Sequence, residues 1–358
     1  MNMKQALFFG IYDPGYSRNR VLMKGFSAHS WRVLECRADP RQFPGIRKYL
    51  ELYRQYRRIR HERFDLVLVA YPGQTVVPLA RLLFGNRFVF DAFVSLYDSN
   101  VKDRKVHPER SIAAGLDWLA DWLSTKLAPV ILLDTEAHID YFVREFGIAR
   151  EKFIRVFVGT DLVPARREPD ERLTVHFHGT YIPLQGIPYI IEAAELLADL
   201  PLTVRLIGRG QEYERIRAWA DAKKLANVVF DEPVPNEHLA DEIARATVCL
   251  GIFGDTGKAS RVIPNKVYEC LAAGKPVITA DTPAIREAFT DRKDIYLCKA
   301  ASPESLAAAI RTLAGDSALR ARLGASARAV MEERFTPERI VGGLLEMLSA
   351  RDSASIRP

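Results

Sequence analysis

Short runs of Val, Ile and Phe alternate along the chain with longer stretches in which apolar residues return every three or four positions. In the first half the short runs are ALFFGIY (6–12), WRVLEC (31–36), DLVLVA (65–70), RFVFDA (87–92), VILLD (130–134) and FIRVF (153–157). They predict strands that are apolar on both faces, as in a parallel sheet covered by helices on both sides. The longer stretches predict helices near 17–28, 45–62, 74–84, 109–127 and 136–147. After the polar, proline-containing segment VGTDLVPARREPDE the pattern starts again, with strands over 173–179, 202–208, 228–232, 247–252, 276–280 and 294–298. Helices fall near 186–198, 211–224, 236–246, 265–273 and 283–289, an all-helical end runs from about 303 to 350, and the tail RDSASIRP reads as frayed. The β-α-β-α order, met twice, predicts an α/β protein of two tandem doubly wound domains.

Composition fits this picture and adds one asymmetry. With 358 residues, 48% of them hydrophobic, the chain can bury two cores. It shows no membrane-spanning run and no cleavable leader, so a cytoplasmic or membrane-peripheral protein is expected. Cys36, Cys249, Cys270 and Cys298 lie far apart in apolar runs and read as buried thiols. The net charge of +6 is uneven: residues 1–170 hold 27 Lys and Arg against 20 Asp and Glu, the rest 24 against 25. Much of the excess sits in PGIRKYLELYRQYRRIRHER, where Arg47, Arg54 and Arg58 share one direction and Tyr49, Leu52, Tyr53, Tyr56 and Ile59 the other. This is either an ordinary surface helix or one whose arginines rest on anionic lipid or an anionic acceptor. No nucleic-acid motif accompanies it.

In open parallel sheets ligands bind at the carboxyl ends of the strands. In the first half that edge carries GIYDPGYSRNR, with Gly15 and Arg18. In the second half it carries three loops. LIGRGQE places Gly208, Arg209 and Gly210 between strand and helix, although Tyr213 stands where a dinucleotide fingerprint needs glycine. HFHGTYIPLQGI places Gly179 likewise. GDTGKASRVIPNK carries Lys258, Arg261 and Lys266, three cations suited to a diphosphate, and leads into the helix of Asn265. Glu269 lies one turn beyond Lys266, as a surface ion pair with it or as an acceptor for the vicinal hydroxyls of a ribose. No metal motif, catalytic carboxylate pair or Walker lysine is present, so metal-independent chemistry resting on leaving-group stabilisation is expected.

HFHGTYIPLQGI, VRLIGRGQE, NVVFDEPVPNEHLADEIARATVCLG and IPNKVYECLAAGKPVITADTPAIREAF, in this order, resemble the group 1, family 4 retaining nucleotide-sugar glycosyltransferases. The resemblance implies a GT-B fold, two Rossmann-like domains facing a central cleft, with an acceptor-binding domain over 1–168, a donor-binding domain over 169–335 and a last helix near 336–352 returning to the first. It implies a nucleoside diphosphate sugar as co-substrate, no cofactor, a hydroxyl acceptor and Glu269 as ribose ligand; the basic first half adds the expectation that the acceptor is lipid-linked or otherwise anionic, for envelope polysaccharide or glycolipid assembly. The family's first motif glutamate falls on Arg261, and its diphosphate-clamp Arg and Lys fall on Thr180 and Gln185. Either Lys258, Arg261 and Lys266, with Arg209 as a further candidate, supply the displaced positive charge from neighbouring loops, or the protein binds a nucleotide sugar weakly. A histidine that relatives carry after the fourth strand has its nearest equivalent in Asp91, with Asp98 and His107 behind it. A non-catalytic nucleotide-sugar-binding protein and a GT-B epimerase are the alternatives, and nothing fixes an oligomeric state.

Overall fold

The computed structural model describes residues 3–165 and 170–355. Positions 166–169 of the linker and 356–358 of the tail lie outside the described residues. In chain order the elements are β1 (Gln5–Gly10), α1 (Ser17–Ala28), β2 (Arg32–Arg37), α2 (Arg47–Ile59), β3 (Leu66–Val69), α3 (Val77–Phe84), β4 (Val89–Phe93), α4 (Ile112–Leu127), β5 (Val130–Leu133), α5 (Glu136–Phe146) and β6 (Phe153–Arg155). There follow β7 (Leu173–His178), α6 (Ile187–Leu196), β8 (Leu202–Ile207), α7 (Tyr213–Ala222), β9 (Val228–Asp231), α8 (Asn236–Ala244), β10 (Val248–Leu250), α9 (Asn265–Ala272), β11 (Val277–Ala280), α10 (Pro283–Arg286), β12 (Tyr296–Cys298), α11 (Pro303–Gly315), α12 (Ser317–Arg334) and α13 (Pro337–Ser355). The helical end breaks twice: Asp316 accepts the amide of Leu319 at 2.8 Å and caps α12, and Pro337 can only open a new helix. The tail expected to fray is helical as far as Ser355.

The chain forms two compact units, residues 1–161 with 335–358, and residues 162–334. The first unit has a parallel sheet ordered β2-β1-β3-β4-β5-β6. One face of it, through Leu7, Phe9, Val67, Val69, Phe90 and Ile131, packs on the inner sides of α2, α3, α4 and α5. The other face meets α1, which lies directly on α13. That approach needs Gly25, because a Cβ there would stand 2.3 Å from the Pro337 carbonyl oxygen. On α2 the arginines Arg47, Arg54 and Arg58 are exposed, Leu52 is buried, and Tyr49, Tyr56 and Ile59 pack against the core. Tyr53 departs from its expected inward side and is 44% exposed, since it sits at the edge of the apolar stripe.

The second unit repeats the plan with order β12-β11-β10-β7-β8-β9. Val175 and Phe177 of β7 face the larger core with α6, α7 and α11. Strand alternation therefore turns His176 and His178 to the opposite face, toward α9.

Candidate functional site

The site residues of the second unit gather where β7 and β8 end. Gly179 (φ 146°) and Gly208 (φ 140°) follow these strands, and a Cβ on Gly208 would lie 2.0 Å from the Gly179 carbonyl oxygen, so only glycine fits. Their amides donate to the carbonyls of Ile207 and Asp231 at 3.0 and 3.1 Å. These two amides extend the ladder, and the glycines supply room. Gly210 lies against the Tyr181 backbone in the same way. Gly186, in the left-handed region, brings its loop onto Gly254, and Phe253 donates to the Gln185 carbonyl at 3.0 Å.

Helix α9 opens beside this edge after Pro264, with Asn265 and Lys266 in its first turn. Lys266 is buried, its ammonium donating to Gln185 Oε1 and lying 3.7 Å from the centre of the Phe177 ring. Burial pushes its pKa well below the ordinary lysine value. Glu269 is buried too, and it turns away from Lys266 to accept from His178 Nε2 at 3.0 Å. The expected surface pair Lys266–Glu269 is therefore corrected to two separate buried contacts. His176 Nε2 lies 2.9 Å from His178 Nδ1. With His178 neutral and donating to Glu269, its Nδ1 accepts from His176, and the chain of hydrogen bonds runs in one direction toward the carboxylate. His176 Nδ1 is left buried without a partner, and burial holds this ring neutral well below the usual histidine value.

Neither histidine is among the expected site residues, although HFH marks two side chains on one face of a strand. Gln185 is expected only as the place of a lost cation. In the fold a cation reaches that position from α9.

The other expected residues are dispersed or engaged. Lys258 is buried, and Arg261 is half-buried beside Gly257. Arg209 stacks 3.7 Å over the Tyr213 ring centre and pairs with Glu232 and Glu214. Thr180 is exposed.

In the first unit Asp91 and Arg18 are both fully buried and form a bidentate pair, Arg18 Nη2 and Nε lying 2.9 and 3.0 Å from the two carboxylate oxygens. Arg18 Nη1 also donates to the carbonyls of Val156 and Phe157 at 2.7 and 3.0 Å. Asp91, expected as the nearest equivalent of a sugar-facing histidine or as a buried Asp, is buried in this pair, and Arg18, expected on the acceptor or membrane side, is fully buried and faces neither. Asp98 is buried in the single π-helical turn Asp98–Asp103. His107 is half-buried 3.8 Å from Asp117, and Gly15 turns on Asp13, whose carboxylate accepts its amide at 2.8 Å. Asp121 holds the loop after β4, accepting from Ser95 Oγ and the amides of Leu96 and Tyr97 at 2.6, 3.1 and 2.9 Å. Burial raises it to about 6 against these hydrogen bonds. Among the described residues no group of three or more His, Cys, Asp or Glu is placed to hold a metal ion.

Two parallel Rossmann-like sheets in one chain, the second with a glycine-lined strand edge, are the GT-B fold. Residues 160–330, nearly the whole second unit, match the family model described as Glycosyl transferases group 1, which supports a group 1 glycosyltransferase. The chain superposes on Anabaena HepE, solved in complex with UDP-glucose, with TM-score 0.73 and 17% identity over 98% of this chain and 100% of that one. Sucrose-phosphate synthase from Thermosynechococcus elongatus gives TM-score 0.73 and 16% identity over the same shares. Among curated proteins, the putative colanic acid biosynthesis glycosyl transferase WcaI of Escherichia coli is 30% identical over 114 residues, 32% of this chain and 28% of that protein. The D-inositol 3-phosphate glycosyltransferase of Streptomyces avermitilis is 26% identical over 221 residues, 55% and 47% of the two chains. The chain thus spans less than half the length of either curated relative.

Proposed function

We propose that the chain is a retaining glycosyltransferase of the family 4 kind, moving a sugar from a nucleoside diphosphate sugar to a hydroxyl acceptor without a metal. The observation that carries this reading is the convergence at the end of β7 of a buried cation, Lys266, and a buried carboxylate held by a histidine, Glu269 with His178. Lys266 reaches Gln185, the position where relatives carry a clamp lysine, so the diphosphate charge is met from α9. Lys258 and Arg261 belong to the loop that leads there; Arg209, tied to two glutamates, is left out. Glu269 accepts from the ribose hydroxyls, and in retention by same-face attack no enzyme carboxylate becomes glycosylated. The basic first unit and the outward Arg47, Arg54 and Arg58 favour a lipid-linked or otherwise anionic acceptor at the cytoplasmic face of a membrane.

The test is donor turnover by the full chain across a panel of nucleotide sugars. Release of nucleoside diphosphate only when an acceptor is added, with the anomeric configuration of the donor kept in the product, is the expected result. Interconversion of two nucleotide sugars without acceptor would make the protein an epimerase; tight binding with no turnover on any acceptor would make it a binding module.

The histidine chain gives a second prediction. His178→Phe keeps the ring volume and removes the hydrogen bond that orients Glu269. Donor affinity is expected to weaken by about tenfold, the equivalent of one hydrogen bond to a charged group, while turnover at saturating donor changes less. Titration calorimetry with UDP and steady-state kinetics check this split. An unchanged UDP affinity would mean that Glu269 needs no positioning.

A further inference from the structure

Helix α4 carries apolar side chains on its outer side as well as on the side where Trp118 and Trp122 meet the core. Ile112, Leu116 and Leu119 on its outer side are 85%, 60% and 45% exposed. At 100° per residue they fall within about 60° of one another, with no charged residue among them. Its inner side also carries Asp121, Ser124 and Thr125, all fully buried. These polar groups have an evident use, since Asp121 holds the loop after β4. Among the described residues of its unit the apolar outer stripe has no partner covering it.

The stripe does not stand alone. Helices α2, α3, α4 and α5 lie side by side on one sheet face: Tyr56 meets Phe84 at 5.3 Å, α3 packs on α4, and Trp118 meets Phe146 at 5.7 Å. The outer surface of this layer also shows Leu82 of α3, 81% exposed, and Leu50 of α2. Beside them stand the exposed arginines of α2, and Lys105 and Arg110 just ahead of α4. Among the described residues of the second unit the exposed large apolar side chains are single and scattered: Val163, Leu196 and Val229. On this layer several exposed apolar side chains thus stand beside the exposed arginines of α2.

We propose that this layer docks on an anionic lipid bilayer, the Ile112–Leu116–Leu119 stripe entering the acyl boundary while the arginines of α2 meet the headgroup phosphates. This deepens the membrane part of the proposed function and is independent of the transfer chemistry. The charge decides between lipid and a second copy of the chain. A self-complementary interface on this layer would bring the arginines of both copies toward each other, whereas anionic headgroups neutralise them. A helix with leucines outward and cations at its flanks is also the arrangement that lies in the plane of a membrane interface.

The experiment is flotation of the purified full chain with vesicles of phosphatidylcholine alone and with added phosphatidylglycerol. The wild type is expected to float with the anionic vesicles and not with the neutral ones. The double variant L116E/L119E is expected to lose about tenfold or more in partitioning, and R47E/R54E to lose the preference for phosphatidylglycerol. UDP binding by thermal shift is expected to stay as in the wild type for both variants, which shows them folded and separates this outcome from any failure of the transferase reading. Absence of wild-type flotation, or flotation of L116E/L119E at the wild-type level, would overturn the proposal. So would a wild-type dimer by light scattering that L116E/L119E turns into a monomer with no vesicle binding, which would give the face to a second copy.

Discussion

Lys266→Met is expected to lower sugar transfer by about two orders of magnitude, the usual effect of removing one preorganised charge from a developing anion, without unfolding the protein. Methionine fits this test better than alanine because Lys266 is buried against Phe177 and Gln185, so truncation would open a cavity and confuse the two effects. The pKa of Lys266 adds a pH signature. Burial lowers it in the fold, so the unfolded chain holds the proton more tightly, and stability rises with pH up to the ordinary lysine value. The methionine variant should lack that part of the slope in urea unfolding measured from neutral to alkaline pH. An anionic diphosphate beside Nζ reverses the bias, so UDP binding should raise the pKa of Lys266, with proton uptake confined to pH values between its free and bound pKa and readable by calorimetry in buffers of different ionisation enthalpy. Transfer at the wild-type rate by Lys266→Met would remove the lysine from the mechanism.

The second large effect is on stability. Asp91→Ala leaves the Arg18 guanidinium fully buried without its counter-ion, and a loss of about 3–5 kcal/mol is expected in denaturant unfolding. The carbonyls of Val156 and Phe157 still accept from Arg18 Nη1, but carbonyl oxygens carry no net charge to offset it. The double variant Arg18→Met/Asp91→Leu, which removes both charges and keeps apolar volume, should recover most of the loss. If Asp91→Ala unfolds at the same urea concentration as the wild type, the pair contributes nothing to holding α1 against the segment after β6.

The fold was legible because its signals are local. All twelve strands formed where short Val-, Ile- and Phe-rich runs stand, and α1 begins and ends at the residues that its pattern marks. Apart from β2, which is shifted by one residue, the strands came out shorter than the runs, since residues such as Gly179 and Gly208 continue the pattern after the backbone has left the sheet. The site was legible only in part. Helical spacing put Lys266 and Glu269 within a turn of each other, but pairing is decided by what faces them across the sheet: Gln185 is 81 residues from Lys266 and His178 is 91 from Glu269. The same limit hid the Arg18–Asp91 pair, whose members are 73 residues apart. For α4 the pattern predicted a helix and could not show that Asp121, Ser124 and Thr125 turn inward, because that depends on the loop that Asp121 holds.

The return of α13 to α1 sets an order on synthesis. Residues 162–334 are contiguous, so the second unit has all its elements once α12 has left the ribosome. The first unit begins earlier and finishes later: until Pro337–Ser355 emerges, the face of α1 around Gly25 has nothing to close on. The half of the molecule translated first is therefore the half completed last, and its exposed α1 surface is where a chaperone would be needed longest.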